Sequence, residues 1–179
     1  MKHPEEIRLI ITGTGLDGRS TYETSIVKTE TEADATGRPA FLNSPLWGSA
    51  DGIASVGVGA DEPATLEPWF PGPGGVRYKI FTFLPRTAGS APLEDAQAEP
   101  SEWLDAVDPE RPGMHIHDSI DYVHVLEGVM VLEMETGEVL VSEGDVIIMR
   151  GGWHAWRNDS DRPCTVSSVM IGAIRRQPE

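Results

Sequence analysis

Disulfide chemistry is closed to this chain: among 179 residues there is one cysteine, Cys164, so no internal bridge can staple the fold. A single thiol is what a reducing compartment allows. Positive charge is also scarce. Fourteen lysines and arginines stand against 29 acids, a formal charge of −15. Nucleic-acid phosphates and anionic membranes both require a basic footprint, so neither is an expected partner. Long apolar runs are missing, and stretches such as Val146–Met149 fall far short of a membrane span. The opening residues MKHPEE do not read as a secretory leader, which makes the cytoplasm the expected location. No G-x-S-x-G elbow and no phosphate-binding P-loop occurs, and Cys164 has no histidine near it in sequence. The group Gly72-Pro73-Gly74-Gly75 is a turn, since no helix follows it to receive a phosphate.

What the chain does have is punctuation. Nineteen glycines and fourteen prolines cut it into short pieces, the pattern of an all-β barrel or sandwich of one domain. Strands are predicted at Glu6–Thr12 and Ser20–Lys28, joined by a Leu16-Asp17-Gly18 turn, followed by a polar loop over Thr29–Pro39. Gly52–Val58 and Ala64–Phe70 read as weak strands before the breaker Pro71–Gly75, and Val76–Leu84 alternates clearly. The acidic stretch Ala88–Glu110 holds at most one short helix near Ser101–Val107. Asp121–Glu135 reads as a strand pair bent at Gly128, with a Thr136-Gly137 hairpin leading into Glu138–Val141. Val146–Arg150 and Cys164–Ile174 complete the set, with turns at Ser142–Asp145 and Asn158–Pro163.

Four of the five histidines lie between positions 115 and 154. His115 and His117 are two apart, so on a strand both imidazoles share a face. Asp121 follows across a tight Asp118-Ser119 turn, and His154 returns on a separate strand after a hairpin. Imidazole nitrogens with one carboxylate oxygen suit iron, manganese, cobalt, nickel, copper or zinc. The competing interpretation is a metal-free barrel with ordinary polar residues. Counting by twos from Asp121 puts Val123 on its face and turns His124 outward, into packing or an interface. His3 belongs to the terminus.

This stretch resembles the cupin family. The run HIHDSIDYVHVLEG supplies His115, His117, Asp121 and Gly128 at the spacings of that family's first motif, with Pro109 in place of a glycine and Asp121 in place of a glutamate. The run GDVIIMRGGWHAWRN supplies Gly144, Gly151, His154 and Asn158 of the second motif, with Met149 in place of a proline and the first gap one residue short. The wording RGG-x-HAW is similar to a group of bacterial single-domain cupins of the cupin 2 type. The resemblance implies a single cupin barrel (double-stranded β-helix, jelly-roll) with an N-terminal strand extension. Residues 1–75 would pack on or complete the barrel, 76–174 would form its core, and 175–179 a tail. It also implies one divalent metal on His115, His117, Asp121 and His154. Aspartate is a methylene shorter than glutamate, so a three-histidine site stays open. Compact cupins commonly pair through strands outside the metal pocket, which implies a homodimer, with Glu6–Lys28 the available strands.

Counting by twos from His154 turns Trp156 and Asn158 inward, and with Val123 they form either pocket wall or plain core. Arg150, Arg157 and Arg77 are candidates for a bidentate pair with a substrate carboxylate, or else surface groups. A metal with open positions permits isomerisation, dehydration, decarboxylation or oxygen chemistry. The expected function is therefore a metal-dependent enzyme acting on a small oxygenated molecule, a hydroxy or keto acid or a phenol. The alternatives are a non-catalytic metal- or ligand-binding cupin and a structural barrel with a vestigial site. A sensor would be expected to carry an output module, and the chain ends at Glu179, soon after the last strand. Protons compete with metal for imidazoles of pKa about 6.5, so metal-derived stability is expected to fade below that pH.

Overall fold

In the computed structural model, residues 5–33, 37–58, 64–86, 105–111 and 113–176 are described, and they contain eleven strands. β1 (Glu6–Thr14) and β2 (Ser20–Lys28) form an antiparallel hairpin of their own. β3 (Glu30–Ala33), β4 (Pro39–Ser49) and β5 (Val76–Phe83) enter a larger sheet. From β6 (Ser119–Glu127) the chain alternates between two sheets, the winding of a jelly-roll. β6, β9 (Val146–Arg150) and β11 (Cys164–Gly172) join the larger sheet, whose order is β3-β4-β5-β11-β6-β9. β7 (Val129–Met134), β8 (Gly137–Ser142) and β10 (His154–Arg157) form a three-stranded sheet of order β10-β7-β8. The fold is all-β, as expected. Among the described residues no helix is long and apolar enough to cross a membrane.

The two sheets face each other across a core that the period of two selects. Val123 and Val125 on β6 and Val166 on β11 meet Met130 and Leu132 on β7 and Val141 on β8. Each such side chain, moved from water, contributes about 2 kcal/mol. Residues directly opposite on neighbouring strands share a face, so the register reads the interior in rows. One row runs Phe81, Val166, Val125; the next Lys79, Ser168, Val123, Ile147; the next Arg77, Met170, Asp121, Met149. The interior is thus apolar at one end and charged at the other.

Several expectations need correction. Thr29–Pro39 is not simply a loop: β3 begins at Glu30, and its Glu-Thr-Glu polarity is that of an edge strand facing water. Gly52–Val58 and Ala64–Phe70 are not strands. Ile53 and Val56 in the first of these stretches are fully exposed. The strand in this region is β4, hidden in the sequence by Pro45 and Gly48. Pro45 sits where the β4–β5 register shifts, a place that tolerates a missing N–H. Asp121–Glu135 is not a pair either, because β6 and β7 lie in different sheets and Gly128 is the corner between them. The first hairpin turns over Gly15–Arg19 and not at Leu16–Gly18 alone. β11 stops at Gly172, where the Pro71–Gly75 turn docks through Gly74 N–H to Gly172 O and Gly172 N–H to Gly75 O. Of the helix expected near Ser101–Val107, only Asp105–Val107 fall among the described residues, and His3 falls outside them.

Gly128 has φ 87°, and a Cβ there would meet Cys164 Cα at 2.8 Å. Gly144 has φ 91° with nothing within 4 Å. Alanine at Gly144 should therefore cost only the left-handed conformation, about 1–2 kcal/mol. Alanine at Gly128 adds backbone crowding and should cost at least about 1 kcal/mol more. Urea unfolding of the two variants measures the difference, and equal midpoints would mean the corner is not tightly packed.

Candidate metal centre

His115 and His154 are joined through their backbones. His115 N–H donates to His154 O at 2.8 Å, and His154 N–H donates to His115 O at 3.0 Å. This reciprocal bridge puts a residue 39 positions away beside its partner, with ring centroids 4.2 Å apart. His117 lies on the segment leading into β6. Arg175 fixes that segment: Nε donates to Asp118 Oδ1 at 2.6 Å, Nη2 to His117 O at 3.2 Å, and Nη1 to Gly151 O at 2.9 Å. One guanidinium thereby ties the loop carrying His117 to the turn that precedes His154.

Each imidazole has its tautomer set from behind. His115 Nδ1 lies 3.0 Å from Gly113 O and His154 Nδ1 lies 2.9 Å from Gly152 O. A carbonyl only accepts, so both Nδ1 atoms carry the proton. Ser119 Oγ donates to Asp121 Oδ1 and accepts from His117 Nδ1 at 2.7 Å. All three rings therefore present a bare Nε2 lone pair. The ligand atoms of the triad lie within 4.8 Å of one another. His154 Nε2 is buried with no hydrogen-bond partner. Three convergent, proton-free imidazole nitrogens, one of them orphaned, fit a divalent transition metal.

Burial shapes the titration. Desolvation, with repulsion from His154, pulls His115 down to about 3. Desolvation, then His115, His154 and Arg175, pulls His117 to about 3. His154 is lowered by desolvation as well. Asp121 is pushed up to about 6 by burial, against the opposing hydrogen bond from Ser119. Its Oδ2 lies 3.6 Å from His117 Nε2, beside the triad and outside the three-histidine cluster itself.

The other residues singled out in the sequence divide clearly. Val123 is buried on the inner face, and half-buried Trp156 packs 6.4 Å from His154 and 6.1 Å from Phe83. Asn158 is buried, but its amide donates to Phe83 O and Arg162 O while Oδ1 accepts from Ser160, so it closes a turn and offers a ligand nothing. Arg150 is exposed, alternating with Val146 and Ile148 on the outer face. Arg157 is held by Glu133, Glu138 and Asp159. Arg77 is fully buried, with Nε and Nη1 donating to Pro68 O, Ser49 O and Val76 O. His124 faces outward and exposed.

Sequence reasoning missed three groups. Ser119 shares the period-two phase of Asp121, a pattern that could have found it. Phe70 stacks on His117 with centroids 4.3 Å apart and an interplanar angle of 17°. It was hidden in a stretch read as a strand, and Arg175 was hidden in the expected tail.

The family profile of the cupin domain matches residues 103–171. A curated relative, phomopsin biosynthesis cluster protein C' of Diaporthe leptostromiformis, is 46% identical over 55 residues, 28% of this chain and 29% of that one. The chain thus matches less than a third of that relative's length. Among solved structures, a cupin 2 conserved barrel domain protein from Rhodopseudomonas palustris is similar at a TM-score of 0.47 and 12% identity, over 86% of this chain and 76% of that one. The polyketide cyclase RemF from Streptomyces resistomycificus is similar at 0.45 and 17%, over 84% and 82%. Residues 103–171, less than half of the chain, are thus similar to the cupin domain.

Proposed function

We propose that the protein is a metal-dependent enzyme acting on a small oxygenated organic molecule, a hydroxy acid, keto acid or phenol, by isomerase, lyase or dioxygenase chemistry. One divalent metal (iron, manganese, zinc, nickel, cobalt or copper) is held by His115, His117 and His154, with Asp121 as fourth ligand. The observation that carries this is the convergence of three histidine ligand atoms within 4.8 Å of one another, one of them the orphaned Nε2 of His154. Bound there, such a metal supplies Lewis-acid polarisation of a substrate oxygen or, if iron, oxygen chemistry. The protein's part is positional. Gly113, Gly152 and Ser119 hold the imidazoles in one tautomer, and Phe70 and Trp156 pack against His117 and His154. Elemental analysis of protein purified without an affinity tag tests the reading, and metal-free protein that takes up none on addition would overturn it.

We also infer a cytoplasmic homodimer. Cys164 is a buried free thiol, compatible with a reducing compartment. A two-stranded hairpin is marginal alone in water, yet β1–β2 carries exposed Ile10, Tyr22 and Ile26. A second copy would cover them. Sedimentation at micromolar concentration should give a species near twice the 19.5 kDa chain mass. A single species at the chain mass would count against it.

Alanine at His115, His117 or His154 should lower bound metal at least tenfold, and Ser119→Ala, which releases the His117 ring, by about tenfold. His124→Ala should leave metal content unchanged. Loss of metal in His124→Ala with retention in His154→Ala would invert the assignment.

The pH dependence has two opposed parts. His115 and His117 have depressed folded values, so their contribution to stability is full above about 6.5 and is lost as pH falls toward 3. Asp121 is raised, so its contribution is full below 3.8 and is lost as pH rises through about 6. The histidines outnumber it, and metal-free protein should lose stability from pH 7.5 to 5. In the folded state, however, His115 and His117 are already neutral at pH 5. Near pH 6 competition between proton and metal therefore falls to Asp121 rather than to His115 or His117. The melting-temperature gap between metal-loaded and chelator-treated protein should narrow as pH falls through about 6, and Asp121→Asn should flatten that narrowing. Unchanged narrowing in Asp121→Asn would remove Asp121 from the ligand set.

A further inference from the structure

Methionines and aromatic rings flank the metal centre on the inner faces of both sheets. Asp121, beside His117, stands between two methionines: Met170 opposite it on β11 and Met149 opposite it on β9. Directly opposite residues have Cβ atoms about 5 Å apart, so both thioethers share the row of that carboxylate. Trp156 follows His154 by two residues on β10 and shares its face. The two rings meet edge to face, with centroids 6.4 Å apart and an interplanar angle of 82°. Beyond Trp156 the rings continue: Phe83 lies 6.1 Å from it, and Phe41 and Phe81 lie 5.9 Å and 6.2 Å from Phe83.

These side chains are not consumed by the core. Val123, Val125 and Val166 are at most 2% exposed, whereas Phe81, Phe83, Ile147, Met149 and Trp156 pack against the same cluster and stay only partly buried. A protein interior packs to the density of an organic crystal, so inward-facing apolar side chains that keep accessible surface border unfilled room. A ligand body that fits such a wall is apolar. Two features select an aromatic body over an aliphatic one. Trp156 and Phe83 offer ring faces and edges, whose quadrupoles favour a further ring. Thioether sulfur at a ring edge is favourable too, and unbranched methionine adapts to a planar guest. A metal held by three or four protein ligands keeps open positions for a pair of oxygens.

We propose that this centre takes an aromatic molecule with two neighbouring oxygen donors beside its ring, the oxygens chelating at the triad and the ring lying against Trp156 and Met149. This rests on the metal-centre reading above and selects aromatic compounds from its substrate class. Trp156 is then a specificity-determining residue that acts on the ligand's ring.

Cobalt-loaded protein makes the test, read by the cobalt absorption band and by calorimetry. The probes are mandelate, hexahydromandelate and lactate, which share one chelating 2-hydroxy acid and carry a phenyl ring, a cyclohexyl ring and a methyl group. Wild-type protein should bind mandelate at least about tenfold more tightly than lactate, the effect of burying the ring. It should prefer mandelate to hexahydromandelate by about threefold, the part owed to aromaticity. Trp156→Leu should weaken mandelate more than lactate and lower their ratio below about threefold, while Trp156→Phe keeps most of it. Equal binding of mandelate and lactate by wild-type protein overturns the proposal without recourse to any variant. Hexahydromandelate bound as tightly as mandelate overturns the aromatic assignment. A full ratio that survives in folded, cobalt-binding Trp156→Leu overturns the placement of the ring. Cobalt-loaded protein that binds none of the probes overturns the proposal and leaves the metal reading standing, whereas failure to take up cobalt overturns both.

Discussion

Two backbone hydrogen bonds between His115 and His154 organise the rest of the site. They join the segment before β6 to the start of β10 through main-chain atoms, and they bring together imidazoles from separate parts of the chain. Because the bridge is made by main-chain atoms, it constrains ring position before any metal arrives. The carbonyls of Gly113 and Gly152, each two residues before its histidine, then take the Nδ1 protons. What remains is a set of lone pairs held apart from water, and a metal ligand set needs little more.

The cost of that arrangement is electrostatic. Three imidazoles and a carboxylate sit where charge is poorly solvated, which drives the histidines toward the neutral form and Asp121 toward protonation. Neutral imidazoles bind metal without first losing a proton. The hydrophobic core lies at the other end of the barrel, around Val125 and Val166, where it supports the site without crowding it. Stability and chemistry are separated along one interior, row by row.

The second half of the chain was legible because its chemistry and its periodicity agree. Period-two alternation over Ser119–Glu127 put Val123 and Asp121 inside and His124 outside, and burial follows that phase. β4 was illegible because Pro45 and Gly48 look like breakers. Each is tolerated for a tertiary reason: a register shift at Pro45, and at Gly48 the close approach of Thr65 O and Val76 O. The stretch Gly52–Val58 misled in the other direction, since apolar side chains alone do not make a strand without a partner to pair with.

By itself the sequence determined the all-β class, the phase of the strands and the spacing of the histidines, since these depend only on local geometry and residue type. It could not decide that β6 and β7 belong to different sheets, or that Arg175 reaches back to Asp118 and Gly151. Nor could it place Phe70 on His117 or tell Arg77, buried and bound to carbonyls, from the exposed Arg150. Those outcomes are contacts between residues far apart in the chain. Only closure of the barrel brings such residues within reach, so tertiary structure alone decided them.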